Sequence, residues 1–296
     1  MDLRTPCWVE RTGVFAARPQ GADGVRCTGL WVAGSLRGLA RPTIAVVGSR
    51  APSEGGRARA REFGRRFAQA GLCVVSGLAL GIDGAAHAGA LDGGGPTIGI
   101  LGGGHRRFFP PGNRALAARM VASEGAVVSP YPPDEPAYPA NFLQRNGIVV
   151  ALADAVVIVE AAARSGALNT ASWAAARGIP VFAIPGDVDR PKAAGCNALI
   201  RDGATLARDA DDVLADLSLA IAQTPMQLTF LPERNDPLGR AVIDALAEGP
   251  LTLDSLIERS GAAAGAVLST LVCLELAHAV ERRNDATFAL AKTAAG

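Results

Sequence analysis

Gly48-Ser49-Arg50 closes a short apolar run, Ile44-Ala45-Val46-Val47, and precedes a helix-length segment. A glycine that lets the backbone come close, a hydroxyl donor and a guanidinium ahead of a helix N-terminus are the parts of an anion site. Taken alone, the same residues also make a plain βα turn with a surface arginine. Gly102-Gly103-Gly104 repeats the device after another apolar run, Arg164-Ser165-Gly166 follows a third, and Ser76-Gly77 ends a fourth. Several such turns on one edge of a sheet favour a phosphate-bearing ligand.

Phe142 with Arg145-Asn146 sets an aromatic face beside a cation and an amide, the kit for stacking and contacting a single nucleic-acid strand. By itself Phe142 reads more readily as a core residue. Arg106-Arg107-Phe108-Phe109 is a second basic and aromatic cluster, with a solvated charged face as its bland reading. Asp83 and His87 stand four apart on an expected helix, where they offer two metal ligands or simply start the helix. No third ligand is apparent, so no metal or other cofactor is expected. The three histidines are scattered, and no H-E-x-x-H or G-x-S-x-G occurs. The G-x-G-x-x-G and P-loop fingerprints are missing too, which disfavours an ordinary NAD enzyme and a P-loop ATPase, and no catalytic residues are expected.

These residues sit at the ends of elements that the hydrophobic pattern outlines. Short apolar runs recur at 44–47, 73–75, 97–101, 126–128, 155–159 and 180–184, as buried parallel strands do. Helix-length segments lie between them at about 56–70, 82–92, 113–124, 141–152 and 168–177. The alternation predicts an α/β fold, an extended Rossmann-like, doubly wound, mostly parallel sheet, whose ligands bind at the carboxyl ends of the strands. Residues 1–40 show no strong period and read as a lead-in with one edge strand at most. The sheet domain is expected over 41–222, a linker over 223–236 where prolines interrupt the pattern, and a small domain over 237–296. That small domain, three helices and a hairpin turning at Asn284-Asp285, outlines a winged helix. Its third helix, 262–276, has no Arg or Lys and contains Glu275, so it lacks the cations of a duplex reader. A protein-contact or accessory role is expected of it.

Composition bounds the class. The chain has 296 residues, 49% of them hydrophobic, and only 5% aromatic against 35 Gly and 19 Pro. That suits an Ala/Gly-rich α/β protein large enough for one medium domain and a smaller one. The longest apolar stretch, 148–163, is broken by Asp154 and Glu160, short of the roughly 18 to 20 apolar residues of a membrane span. The start shows no secretory h-region, so the expected compartment is the cytoplasm. The five cysteines are odd in number and widely spaced, which argues against a disulfide framework or a zinc site. The net charge of +1 conceals a basic front, ten Arg against four acids from Arg41 to Arg114, and an acidic end, six basic against nine acidic residues from Pro225 on.

The ordered motifs over about residues 43–205 resemble the DNA processing protein DprA (Smf) family. They are Ile44–Arg50, Val75-Ser76-Gly77-Leu78-Ala79 with Gly81-Ile82-Asp83, Pro110-Pro111-x-Asn113, Arg145-Asn146, Glu160-Ala161 with Arg164-Ser165-Gly166, and Pro185-Gly186 with Gly195-Cys196-Asn197. The resemblance implies a homodimer that binds single-stranded DNA, protects incoming strands and loads the RecA recombinase during natural transformation, without catalytic turnover. It places Gly48, Ser49 and Arg50 on the phosphate, and the backbones of Ser76-Gly77 and Gly102–Gly104 beside it. Phe142, Arg145 and Asn146 fall near a base, with Arg164, Ser165 and Gly166 on the border. Three departures stand out. Tyr138-Pro139-Ala140 replaces basic residues common before the Phe, Arg145-Asn146-Gly147 lacks a second Arg, and the N-terminal helical domain is absent or reduced. Arg106 and Arg107 are the candidates to compensate. The helix after Thr205, with Val213, Leu214 and Leu217, is the candidate dimer contact. The rival reading is a nucleotide hydrolase of the phosphoribohydrolase type, whose Pro-Gly-Gly-x-Gly-Thr loop is matched only partially by Pro185-Gly186-Asp187.

Overall fold

The computed structural model describes residues 3, 5–10, 29–223, 237–264, 266–267, 270–271, 274, 280–283 and 287–290. The chain divides into two compact units, residues 1–219 and 220–296. In the first, β3 (Thr43–Val47), β4 (Cys73–Ser76), β5 (Thr97–Ile100), β6 (Ala126–Ser129), β7 (Ala155–Ile158) and β8 (Val181–Ala183) are the apolar runs of the sequence. Every residue of β3, β4, β5, β6 and β7 is buried, which is why these strands read as continuous apolar runs rather than alternating ones.

The sheet also holds β1 (Cys7–Glu10), β2 (Gly29–Gly34) and β9 (Thr205–Leu206), in the order β1-β2-β6-β5-β4-β3-β7-β8-β9. From β6 to β9 all neighbours are parallel, whereas β2 pairs antiparallel with β6 and with β1. The order reverses between β3 and β7, which makes their carboxyl ends the switch point of the fold.

The expected lead-in is therefore part of the sheet, with two strands where one at most is expected. Trp8 and Trp31 are cross-strand partners with ring centroids 5.6 Å apart, edge to face. Such a pair stabilises two short strands that no period in the sequence announces.

Helices cover both faces. On one side lie α1 (Glu54–Gln69) and α2 (Ile82–Asp92); α3 (Arg114–Ala122) leads into β6; α4 (Pro139–Ala151), α5 (Gly166–Ala175) and α6 (Ala194–Arg201) cover the other side. α7 (Ala210–Gln223) completes the first face. Phe63 and Phe67 of α1 and Ile82 of α2 meet Ile44 and Val46 of β3, while Ala45 and Val47 face Ile148, Val149 and Val150 of α4. The eight-residue α6 escapes the sequence reading because Gly195 breaks its pattern. A β-carbon there would run into the Ala161 and Ala162 carbonyls. The start of α6 is thereby drawn against the loop that follows β7, where Gly195 N–H donates to Ala161 O at 2.8 Å.

Val213 of α7 is fully buried in this unit's own core, and Leu214 and Leu217 are partly buried against the same cluster. The apolar stripe offered as a dimer contact thus covers the sheet of its own chain.

In the second unit, α8 (Pro237–Ala247) and α9 (Leu253–Ser260) stand with β10 (Leu251–Thr252), β11 (Val280–Arg282) and β12 (Thr287–Leu290) in the order β10-β12-β11, all antiparallel. Thr252 caps α9 by accepting from Ser255 N, and Gly261 closes it in the left-handed conformation. The described residues at 264, 266, 267, 270, 271 and 274 are helical. Val267, Leu271 and Leu274 join Val242, Leu256 and Phe288 in one core, the packing of a winged helix. Most of the expected linker, 224–236, and the expected turn at Asn284-Asp285 lie outside the described residues.

Candidate nucleic-acid interface

A cleft of about 450 Å³ opens at the switch point, lined by Gly48, Ser49 and Arg50 after β3, by Phe142, Arg145 and Asn146 of α4, and by Ser165 and Gly166 at the start of α5. Eight of the sequence-predicted residues therefore meet in one place, as a doubly wound sheet requires. Asp83, Leu143 and Thr170 also line it, and the sequence reading does not assign them there.

The β3 turn is held from below. Ser49 N–H donates to the Glu160 carbonyl at 2.7 Å, and Ser49 C=O accepts from Ile82 N–H at 3.1 Å. Ala51 N–H donates to Ser49 Oγ at 3.2 Å, a bond that does not use the hydroxyl's own proton. A β-carbon on Gly48 would meet Glu160 O and the Ile82 side chain. Only glycine lets strand, turn and helix approach this closely.

Two cations converge on one ring. Arg50 Cζ stands 5.0 Å from the centroid of Phe142 and Arg145 Cζ 5.9 Å from it. Arg50 is exposed, whereas Arg145 is only 3% exposed and its Nε has no hydrogen-bond partner among the described residues. Burial pushes the Arg145 guanidinium down to about 10, against the pull of the Asp83 carboxylate, while Arg50 adds to the push. Burial likewise raises Asp83, opposed chiefly by Arg145. Asp83 Oδ2 accepts from Gly77 N–H at 3.1 Å and from Ala79 N–H at 3.3 Å. An under-partnered buried cation costs free energy unless something supplies the missing acceptor. An anion in the cleft, which Arg145 lines, would offset its charge.

The start of α5 adds backbone donors. Ser165 caps it, accepting from Ala167 N–H at 3.2 Å, and the space over Gly166 is open. Asn146 Nδ2 donates to Asn169 Oδ1 at 3.2 Å, which fixes the amide at the rim. The start of α1, by contrast, is occupied by the chain itself. Ser53 N–H donates to Glu160 Oε2 at 2.8 Å, and the same oxygen fills the place of a Gly56 side chain. That helix terminus, the usual seat of a dinucleotide pyrophosphate, holds a carboxylate.

Other expected site residues lie elsewhere. Ser76 is buried and donates to the Val46 carbonyl at 2.6 Å, so its hydroxyl secures β3 to β4. Gly77 does not line the cleft. It lies under Arg145, whose Nη1 occupies the volume of its missing β-carbon. The Gly102–Gly104 run is filled from within by the Phe142 ring, by Ala137 and by the Pro132 and Pro133 carbonyls, and Gly104 N–H donates to Glu135 O at 2.7 Å. Close approach is what these glycines serve, with protein rather than ligand as the neighbour. Arg106 pairs with Asp134 at 2.8 Å on the surface, and Arg107 and Arg164 are exposed outside the cleft lining.

His87 is fully buried. Thr97 donates its hydroxyl proton to Val74 O at 2.7 Å, so His87 Nδ1, 2.6 Å from Thr97 Oγ1, is the donor in that contact. The Asp83–His87 pair thus faces two different networks. Among the described residues no group of three His, Cys, Asp or Glu side chains stands close enough to hold a metal. No described helix is long and apolar enough to cross a membrane.

The chain matches the family described as DNA recombination-mediator protein A over residues 25–218, and the DprA winged helix domain over residues 204–285. It is 37% identical to protein Smf of Escherichia coli over 254 residues, covering 84% of this chain and 68% of that one. The X-ray structure of DprA from Streptococcus pneumoniae superposes with a TM-score of 0.61 at 39% identity, covering 64% of this chain and 66% of that one. A structure of DNA processing protein A from Helicobacter pylori, described for its single-stranded DNA binding mode, gives 0.63 at 26% identity over 72% of this chain and 96% of its own. The chain spans about two thirds of the length of the first two, and it belongs to the DNA recombination-mediator protein A family, also called DprA or Smf.

Proposed function

We propose that the cleft binds single-stranded DNA and that the protein, as a cytoplasmic homodimer, shelters incoming strands and hands them to the RecA recombinase during natural transformation, without catalytic turnover. The observation that carries this reading is the under-partnered buried guanidinium of Arg145. It converges with exposed Arg50 on the Phe142 ring, at the end of a sheet whose other anion seat is already taken by Glu160. Phosphate is served by Ser49, the two arginines and the start of α5, and a base by the ring. None of these contacts reads sequence, which suits a strand-tolerant binder. In this division of labour residues 41–222 bind the strand. The winged helix, whose expected third helix lacks cations, serves protein contacts at the end of a linker over 223–236.

The nucleotide-hydrolase reading is less well supported. The Glu160 carboxylate holds the start of α1 and does not line the cleft, and Asp83, the acid that does line it, accepts from the Gly77 and Ala79 N–H groups.

The test is RecA assembly on a long single strand already coated with a single-strand binding protein. The wild-type chain is expected to speed filament formation and Arg50→Ala to leave it at the uncatalysed rate. Equal rates with and without the wild-type protein would contradict the mediator role.

A further inference from the structure

The aromatic surface continues past Phe142. The ring of Phe109 lies 5.9 Å from it, tilted by 55°, and is 50% exposed. Leu80, 48% exposed, reaches to within 3.3 Å of where a Gly112 side chain would begin, so it overhangs the turn that follows Phe109. Neither residue joins a core cluster, although the neighbouring Phe108 is buried in one. The turn beneath them is fixed, because Asn113 Nδ2 donates to the carbonyls of Leu78 at 3.0 Å and Ala79 at 2.9 Å. Two large apolar side chains are thus held in water, on a rigid seat, beside a cationic cleft. Exposed Arg107 stands two residues before Phe109 in the chain.

Stability does not account for this placement, since burying such groups is what lowers free energy. Single strands do account for it, because they present unstacked bases that an aromatic face accepts whatever their sequence. We propose that Phe109, flanked by Leu80, is a second base-stacking platform, which takes the nucleotide next to the one held at Phe142 and so extends the footprint of each protomer out of the cleft. The proposal rests on the cleft reading above. Its occupant is a base of the same strand, argued from continuity with the Phe142 ring and the cations around it.

The experiment compares wild type with Phe109→Ala and Phe109→Trp, titrated into labelled dT probes of one nucleotide, which has no neighbour to place on Phe109, and of about sixteen nucleotides, the upper end of single-module footprints. Phe109→Ala is expected to bind the long oligonucleotide about tenfold more weakly and the short one as wild type does, from the usual strength of one stacked base. Its salt dependence should be unchanged, because no phosphate contact is lost. Phe109→Trp should keep wild-type affinity and show fluorescence quenching by the long oligonucleotide only, beyond that of Trp8, Trp31 and Trp173 in the wild type. Unchanged affinity of Phe109→Ala at both lengths overturns the platform. An equal loss at both lengths also overturns it, by assigning Phe109 to holding the Phe142 ring. Failure of the wild type to bind either length overturns the cleft reading itself.

Discussion

Gly77→Ala is expected to destabilise the fold by about 3 kcal/mol, the upper end of the usual cost of overpacking. Nothing about the backbone conformation of Gly77 forbids alanine, since its φ is not in the left-handed region. The added methyl instead claims the volume that Arg145 Nη1 occupies, with Nη2 and Cζ close behind. The buried guanidinium has to leave its seat, and the hydrogen bond from Gly77 N–H to Asp83 is strained with it. Strand binding should weaken roughly tenfold or more, since contacts to a charged group are worth about 1.5–3 kcal/mol. Urea denaturation and oligonucleotide anisotropy measure the two effects. A double-mutant cycle isolates their cause, because in an Arg145→Ala background the methyl has room and the cost of Gly77→Ala should fall close to zero. An undiminished cost in that background would place the strain elsewhere.

His87 should make the protein acid-sensitive. Burial, helped by the charge of Arg145, pushes its imidazole from an ordinary 6.5 down to about 3. The native state therefore keeps His87 neutral while the unfolded chain takes up a proton. Its contribution is fully present above pH 6.5, is lost as pH falls, and levels off near pH 3, where the native state protonates as well. The whole window corresponds to about 4–5 kcal/mol. His105, also lowered by burial, adds a slope of the same sign. Asp83 acts in the opposite sense. Its raised carboxyl binds a proton more tightly when folded, so its contribution declines as pH rises through the range above an ordinary carboxylate. His87→Asn retains a donor for Thr97 and separates these terms. Urea midpoints between pH 7 and pH 4 should fall less steeply in the variant than in the wild type. Parallel slopes would show that His87 titrates normally.

The parts of this molecule legible in its sequence are those where one periodicity governs many residues. The β3–β7 runs are fully buried strands, so continuous Val, Ile and Ala mark them directly, and the phosphate-friendly turn at Gly48–Arg50 follows from its place at a strand end. Short elements held by a single tertiary contact leave no such trace. β1 depends on Trp8 meeting Trp31 across the ladder, β9 on two residues alongside β8, and α6 on Gly195 lying against two carbonyls.

The site was legible in outline for the same reason. Arg50, Phe142 and Arg145 announce themselves by type, but glycines declare only that something comes close, not what. Gly102 faces a phenyl ring and Gly77 a guanidinium, both from the same helix α4, and the sequence reading takes each for a ligand turn. Asp83 does stand at the start of a helix, in the first turn of α2, but only the fold shows that the loop after β4 donates two N–H groups to its carboxylate and that Arg145 lies beside it.

The central claim is that Arg50, Arg145 and Phe142 form one strand-binding cleft. The most direct test is fluorescence anisotropy of labelled oligo-dT with wild type and Arg50→Ala over a series of salt concentrations, with duplex DNA and a nucleoside monophosphate as competitors. The account predicts salt-sensitive binding by the wild type that neither competitor displaces well. Arg50→Ala should bind at least about tenfold more weakly, with the slope of log K against log salt reduced by about 0.7 for one lost phosphate contact. Equal affinity and equal slope in the two proteins, or ready displacement by the monophosphate, would contradict it.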